Sequence, residues 1–180
     1  IAALTAGQIG VLQTDDIAAL TTAQIVALTT AQVAALNTTQ IPALDSDQIA
    51  AIETADIGSL TLAAVARLST DQVVALTTAQ AGALRSTQLG ALTTAQIQAV
   101  ETADIAALAT AALAGFTTAQ IVALTTAQVA ALTTAQVAAL STAQVRAIET
   151  ADMAALTSDE VAAFTPDQLG ALTTAQIAAL

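Results

Sequence analysis

A large apolar residue, in most cases leucine, recurs at every eighth position from Leu4 to Leu180 without insertion or deletion. Counted from this residue, the consensus octad is Leu-Thr-Thr-Ala-Gln-Ile/Val-Ala-Ala, and its positions are called places one to eight. A straight α-helix would rotate the apolar stripe by about 80° per octad, and a strand would point places one and six to opposite faces. The pattern therefore predicts an all-α solenoid or superhelical rod of about 22 short helices, one per octad.

The helix starts are predicted from two local signals that coincide in each octad. Threonine at place two and glutamine at place five form an S/T-x-x-E/Q capping box, and the residues at places one and six form a hydrophobic staple. The residues predicted to cap are Thr21, Gln24, Thr29, Gln32, Thr77, Gln80, Thr133, Gln136, Thr165 and Gln168. The residues predicted to staple and to build the core are Leu20, Ile25, Leu28, Val33, Leu132 and Val137.

The two prolines bear on this reading in opposite ways. Pro166 lies at the first helical position, where its missing N–H costs nothing. Pro42 lies inside its predicted helix, so we expect that helix to be distorted or to end early. Helices this short are far below the length that is stable alone, about 12 to 15 residues, so neighbouring helices must stack.

A longer period is superimposed on the octads. Glu-Thr-Ala-Asp occupies positions 53–56, 101–104 and 149–152, at an equal spacing of six octads. This 48-residue superrepeat has two interpretations: it matches a whole number of superhelical turns, or it records tandem duplication. Both stay open at this point. Residues 1–180 are predicted to be one uninterrupted array, and because the pattern is cut within an octad at both ends, we expect a segment of a longer chain.

The acidic pairs are the one candidate metal site. Glu53, Asp56, Glu101, Asp104, Glu149 and Asp152 offer the oxygen ligands that calcium takes. Two carboxylates are too few for its six to eight ligands, so the sequence favours solvated charges at helix starts. With no His, Cys, Tyr or Trp to complete a catalytic site, no enzyme, cofactor or small-molecule substrate is predicted.

Charge and hydropathy exclude two classes of partner. The net charge of −11, with only three basic residues, would repel a nucleic-acid backbone. Threonine and glutamine interrupt every apolar run, and none approaches the roughly 20 residues that span a bilayer. We therefore predict no nucleic-acid binding and no membrane insertion.

Two resemblances follow from the octads. The segment Phe164-Thr-Pro-Asp-Gln-Leu-Gly-Ala-Leu172 resembles the opening helix of transcription activator-like effector repeats, a likeness that shared capping chemistry explains. The whole array, most clearly from Leu124 to Leu140, resembles Leu-Thr-Thr-Ala-Gln-Val-Ala-Ala-Leu tracts of very large bacterial surface proteins, often labelled adhesin-like or heme-utilisation proteins. This likeness implies secretion or surface display and a spacer or adhesive role.

The sequence thus predicts an inner column of Leu, Ile/Val and Ala and an outer surface of Thr, Gln and acids. The predicted function is an extracellular or cell-surface stalk or filament segment that associates with itself end to end or laterally. The alternative is a binding module that recognises a peptide, a glycan or ice through its repetitive Thr/Gln surface.

Overall fold

A computed structural model describes residue 1 and residues 3–180. Within this part of the chain all regular structure is helical, and each octad after the first leucine contributes one short helix. The twenty α-helices are α1 Ala6–Ile9, α2 Thr14–Ala18, α3 Thr22–Val26, α4 Thr30–Ala34, α5 Ser46–Ala51, α6 Thr54–Ile57, α7 Leu62–Val65, α8 Thr70–Val74, α9 Thr78–Gly82, α10 Ser86–Ala91, α11 Thr94–Ala99, α12 Thr102–Ala107, α13 Thr118–Ala123, α14 Thr126–Val129, α15 Thr134–Ala139, α16 Thr142–Ala147, α17 Thr150–Met153, α18 Ser158–Ala162, α19 Pro166–Ala171 and α20 Thr174–Ala179. Two 3₁₀-helices, Ile41–Ala43 and Thr110–Gly115, complete the predicted helical solenoid.

The helices are stacked in successive turns of one superhelix. Every strongly packed pair lies three helices apart along the chain, as α1 with α4 or α17 with α20. Side-chain bonds between turns join residues up to 31 positions apart, and one family of them spans 28 residues throughout. Successive turns therefore meet about three octads apart along the chain, and their side-chain bonds join residues 26–31 positions apart.

The core is a narrow double column that follows the superhelix. The Ile or Val at place six is essentially inaccessible in most octads, as Ile97 and Val137 at 0% exposure illustrate. The leucine at place one lies beside it and is only slightly more exposed, as at Leu132. Burial of these two places in every turn supplies the stabilisation that such short helices lack by themselves.

Two octads form 3₁₀-helices in place of α-helices. At Ile41–Ala43 the cause is Pro42, which has no N–H to donate inside a helix, as the sequence predicted. The Thr110–Gly115 helix lacks both the threonine and the glutamine of the capping box. It packs very closely on α10, and a Cβ atom at Gly115 would overlap the backbone oxygen of Ser86.

Among the residues that the structure describes, no helix combines the length and the apolar character needed to cross a bilayer.

We predict that Gly115→Ala destabilises the array by about 1–3 kcal/mol, because the added methyl group must displace the Ser86 backbone. The matched control is Gly170→Ala in α19, where an added Cβ meets nothing within 4 Å. That change should stabilise by about 0.5–1 kcal/mol, the usual gain of alanine over glycine in a helix. Guanidinium denaturation followed by circular dichroism measures both, and equal midpoints for the two variants would contradict the close approach.

Candidate functional site

The predicted capping boxes are present as hydrogen bonds. In α3 the backbone N–H of Gln24 donates to Thr21 Oγ1 at 3.3 Å, and the N–H of Thr21 donates to Gln24 Oε1 at 2.8 Å. The same reciprocal pair occurs at the start of α15, between Thr133 and Gln136. A helix with such a box thereby satisfies two of the N–H groups that its start leaves free.

The glutamine of the box also bonds to the previous turn of the superhelix, which makes it the main polar group of the fold. While Gln136 Oε1 accepts from Thr133, its Nε2 group donates to the carbonyl oxygens of Leu108 at 2.9 Å and Ile105 at 2.8 Å. These lie 28 and 31 residues earlier and belong to the C-terminal end of a helix. One amide group thus caps the start of its own helix and the end of another.

This arrangement recurs along the described chain with little variation. The bond to the place-one carbonyl, 28 residues earlier, measures 2.6–3.0 Å in every case. The thirteen glutamines that make it are at most 4% exposed, and they are Gln32, Gln40, Gln48, Gln72, Gln80, Gln88, Gln96, Gln120, Gln128, Gln136, Gln144, Gln168 and Gln176.

The prediction of an outer surface that includes glutamine was therefore wrong. Glutamine at place five is buried because its amide joins two turns, and it is exposed only where no earlier turn lies against it, as at Gln24. A signal was available in the sequence: glutamate would also complete a capping box, yet place five is glutamate only at Glu160 in a chain with fourteen acids. Only an amide can also donate hydrogen bonds.

The three marker aspartates are also buried, contrary to the prediction of solvated charges. Asp56, Asp104 and Asp152 occupy place five and are 2–4% exposed. Asp56 Oδ1 accepts from Thr30 Oγ1 at 2.5 Å, and Asp152 Oδ1 accepts from Thr126 Oγ1 at 2.6 Å. In each pair the threonine lies 26 residues earlier, so an aspartate–threonine bond replaces the glutamine bond between turns.

Asp104 differs from the other two markers in its hydrogen bonding. Thr78 stands in the same position relative to Asp104 as the bonded threonines do to the other two aspartates. Nevertheless, Asp104 Oδ1 is buried and has no hydrogen-bond partner among the residues that the structure describes. The helix that carries Asp104, α12, is in close contact with α9, where a Cβ at Gly82 would lie 2.9 Å from the Ala107 carbonyl oxygen.

The calcium candidates are divided between the surface and the interior. Glu53, Glu101 and Glu149 are exposed, while the aspartates three residues later are buried. In the part of the chain that the structure describes, no group of three or more His, Cys, Asp or Glu residues could share a metal ion. The pairs offer two carboxylates each, fewer oxygens than calcium coordinates.

The 48-residue spacing of the markers equals six octads, and helices of successive turns pack three octads apart. The structure is therefore compatible with both interpretations of the superrepeat, a match to whole superhelical turns and tandem duplication.

These features define a class of protein: a helical repeat solenoid in which a buried side-chain amide links successive turns in most octads. The family model of the ALTTAQ repeat matches residues 9–46, 49–86, 97–134, 124–148 and 145–180, so the chain belongs to the ALTTAQ repeat family. No curated protein and no solved structure matches the chain.

We predict that Gln136→Met strongly destabilises the array, since methionine fills a similar volume but leaves the Leu108 carbonyl and the Thr133 N–H without side-chain partners. Each buried polar group left unpaired costs about 1–3 kcal/mol. In Gln24→Met only the exposed capping bond is lost, which should cost about 0.5–1 kcal/mol. Denaturation midpoints test the difference, and an equal loss in both variants would show that the bond between turns contributes nothing.

The aspartate–threonine bond gives a second test. Thr126→Val removes the hydroxyl that donates to buried Asp152 and should cost about 1–3 kcal/mol. Thr134→Val has the same shape change at the same place of the next octad, and its exposed hydroxyl makes no bond to another turn in the described structure. We expect that control to stay within about 0.5 kcal/mol of the unaltered protein. Thermal denaturation of both variants tests this prediction. Equal melting temperatures would show that the Thr126–Asp152 bond does not stabilise the fold.

Proposed function

We propose that this chain is a non-catalytic structural segment, a stalk or filament-forming part of a secreted or surface-displayed bacterial protein. The observation that carries the proposal is the constancy of the glutamine bond: the same amide joins carbonyls 28 residues earlier from the first turns to the last. Where every turn repeats one set of contacts, length grows in proportion to the number of octads. Such a geometry suits a spacer.

Stiffness follows from the way successive turns are joined. Each turn contributes buried glutamine amides and buried residues from places one and six, such as Leu140 and Val137. Connections between helices are only a few residues long, and Leu132, for example, closes one helix and packs against the next. A rod of this kind would hold a partner domain at a set distance from a cell surface, the role that the resemblance to bacterial surface proteins implies.

Self-association would use the same contacts that join successive turns, which have amide donors on one side and carbonyl acceptors on the other. In the first turn Gln24 has an amide group that makes no bond to another turn, and in the last turn Leu169 and Ile177 are 44% and 55% exposed at the place that is buried elsewhere. In a polypeptide of residues 1–180, the unbonded amide donor of the first turn would therefore match the place-one carbonyls of the last turn, which accept no bond from another turn in the described structure. Head-to-tail contacts of this type form open filaments.

The spacer proposal predicts how size scales with sequence. A variant in which the segment 101–148 occurs twice would add six octads to the 180-residue chain. A rod should lengthen about 1.27-fold at constant cross-section, whereas the radius of a compact globule would rise only about 1.1-fold. Small-angle X-ray scattering of both chains, at concentrations where they are monomeric, separates the two results, and the smaller increase would contradict the proposal.

The proposed head-to-tail assembly is tested by a separate experiment. Electron microscopy of the unaltered polypeptide over a range of concentrations should show fibres, and Ile177→Lys should suppress them by placing a charge in the end contact. The control is Val74→Lys, since Val74 is 45% exposed but lies away from the ends. Single rods at every concentration, or equal suppression by both variants, would rule out head-to-tail assembly and leave the spacer role standing.

A further inference from the structure

One octad of the array lacks both residues that form its capping box. Ala109 takes the place of the threonine and Ala112 takes the place of the glutamine, and the helix between Thr110 and Gly115 has no side-chain cap. The other interruptions are less complete. The octad with Ala64 keeps the Thr61 hydroxyl as a cap, at 3.1 Å.

The next octad shows what the missing amide does when it is present. Gln120 Oε1 accepts from the N–H of Thr117 at 2.8 Å, and Nε2 donates to the carbonyls of Leu89 at 2.8 Å and Leu92 at 2.6 Å. By the same spacings, the groups that a glutamine at position 112 would contact are the Ala109 N–H and the carbonyls of Ala81 and Leu84.

These groups remain available around Ala112. Among the described residues, the Ala109 N–H and the Leu84 carbonyl make no hydrogen bond, and the Ala81 carbonyl accepts only from within its own helix end. An open groove of about 440 Å³ is lined by Leu84, Ala109 and Ala112. The groove thus brings one unpaired donor and one unpaired acceptor to the position that an amide group occupies in the intact octads.

We propose that this groove binds a primary carboxamide, the group carried by a glutamine or asparagine side chain of a partner peptide. The carboxamide oxygen accepts from the Ala109 N–H, and its NH₂ group donates to the Leu84 carbonyl, as the chain's own glutamines do at the equivalent places of thirteen other octads. A carboxylate cannot donate to the carbonyl, and a tertiary amide has no N–H. The site therefore selects for the unsubstituted amide, and it does not depend on the structural role proposed above.

Glycine amide signals can report the binding, because the chain has only seven glycines. Gly82 lines the groove, while Gly7 and Gly170 are at opposite ends of the array. In ¹⁵N-glycine-labelled protein, titration with propionamide should shift the Gly82 signal saturably and leave Gly7 and Gly170 unchanged. Propionate and N,N-dimethylpropionamide should shift Gly82 at least fivefold less.

A variant that fills the groove gives the matched control. Ala112→Gln supplies the chain's own amide and should abolish the Gly82 response, whereas Ala119→Gln, at an exposed position outside the groove, should keep it. Unchanged circular dichroism shows that both variants are folded. The proposal fails if propionamide produces no saturable shift in the unaltered protein, if propionate or the tertiary amide acts equally well, or if a folded Ala112→Gln variant still responds.

Discussion

The buried side-chain amide at place five is the interaction on which the rest of the structure depends. Short helices leave many backbone N–H and C=O groups free at their ends, and a solenoid of 22 such helices has an unusual number of them to satisfy. Gln136 shows the solution, since its oxygen pairs with the Thr133 N–H and its nitrogen pairs with the carbonyls of Ile105 and Leu108. One side chain therefore sets both the start of a helix and the distance to the next turn.

Where another residue replaces the place-five glutamine, the contact between turns changes. At Asp56 and Asp152 a carboxylate accepts from a threonine of the previous turn, so contact between turns is kept by a different pair of groups. At Ala112 nothing replaces the amide, and a groove remains. In the central superrepeat the glutamine is missing from two adjacent octads, at Asp104 and Ala112, and neither side chain bonds to the previous turn in the described structure.

The structural role and the amide-binding groove draw on the same chemistry. In the rod, each carboxamide is supplied by the chain itself and is held beside its acceptors by the covalent backbone, which lowers the entropic cost of pairing. At Ala112 the carboxamide would come from another molecule and would have to displace water from the groove. A partner with several Gln or Asn side chains would bind more tightly through several of them only where several octads lack the place-five glutamine.

The sequence by itself determined the number, the positions and the starting residues of the helices, because capping boxes, staples and proline effects act within one octad, as at Thr21 with Gln24 and at Pro42. It also indicated the buried Leu and Ile/Val places. Only the tertiary structure decided the length of a superhelical turn, the burial of place-five glutamine and aspartate, and the groove at Ala112. These properties depend on which residues of different turns meet, and an eight-residue local pattern is compatible with more than one number of octads per turn.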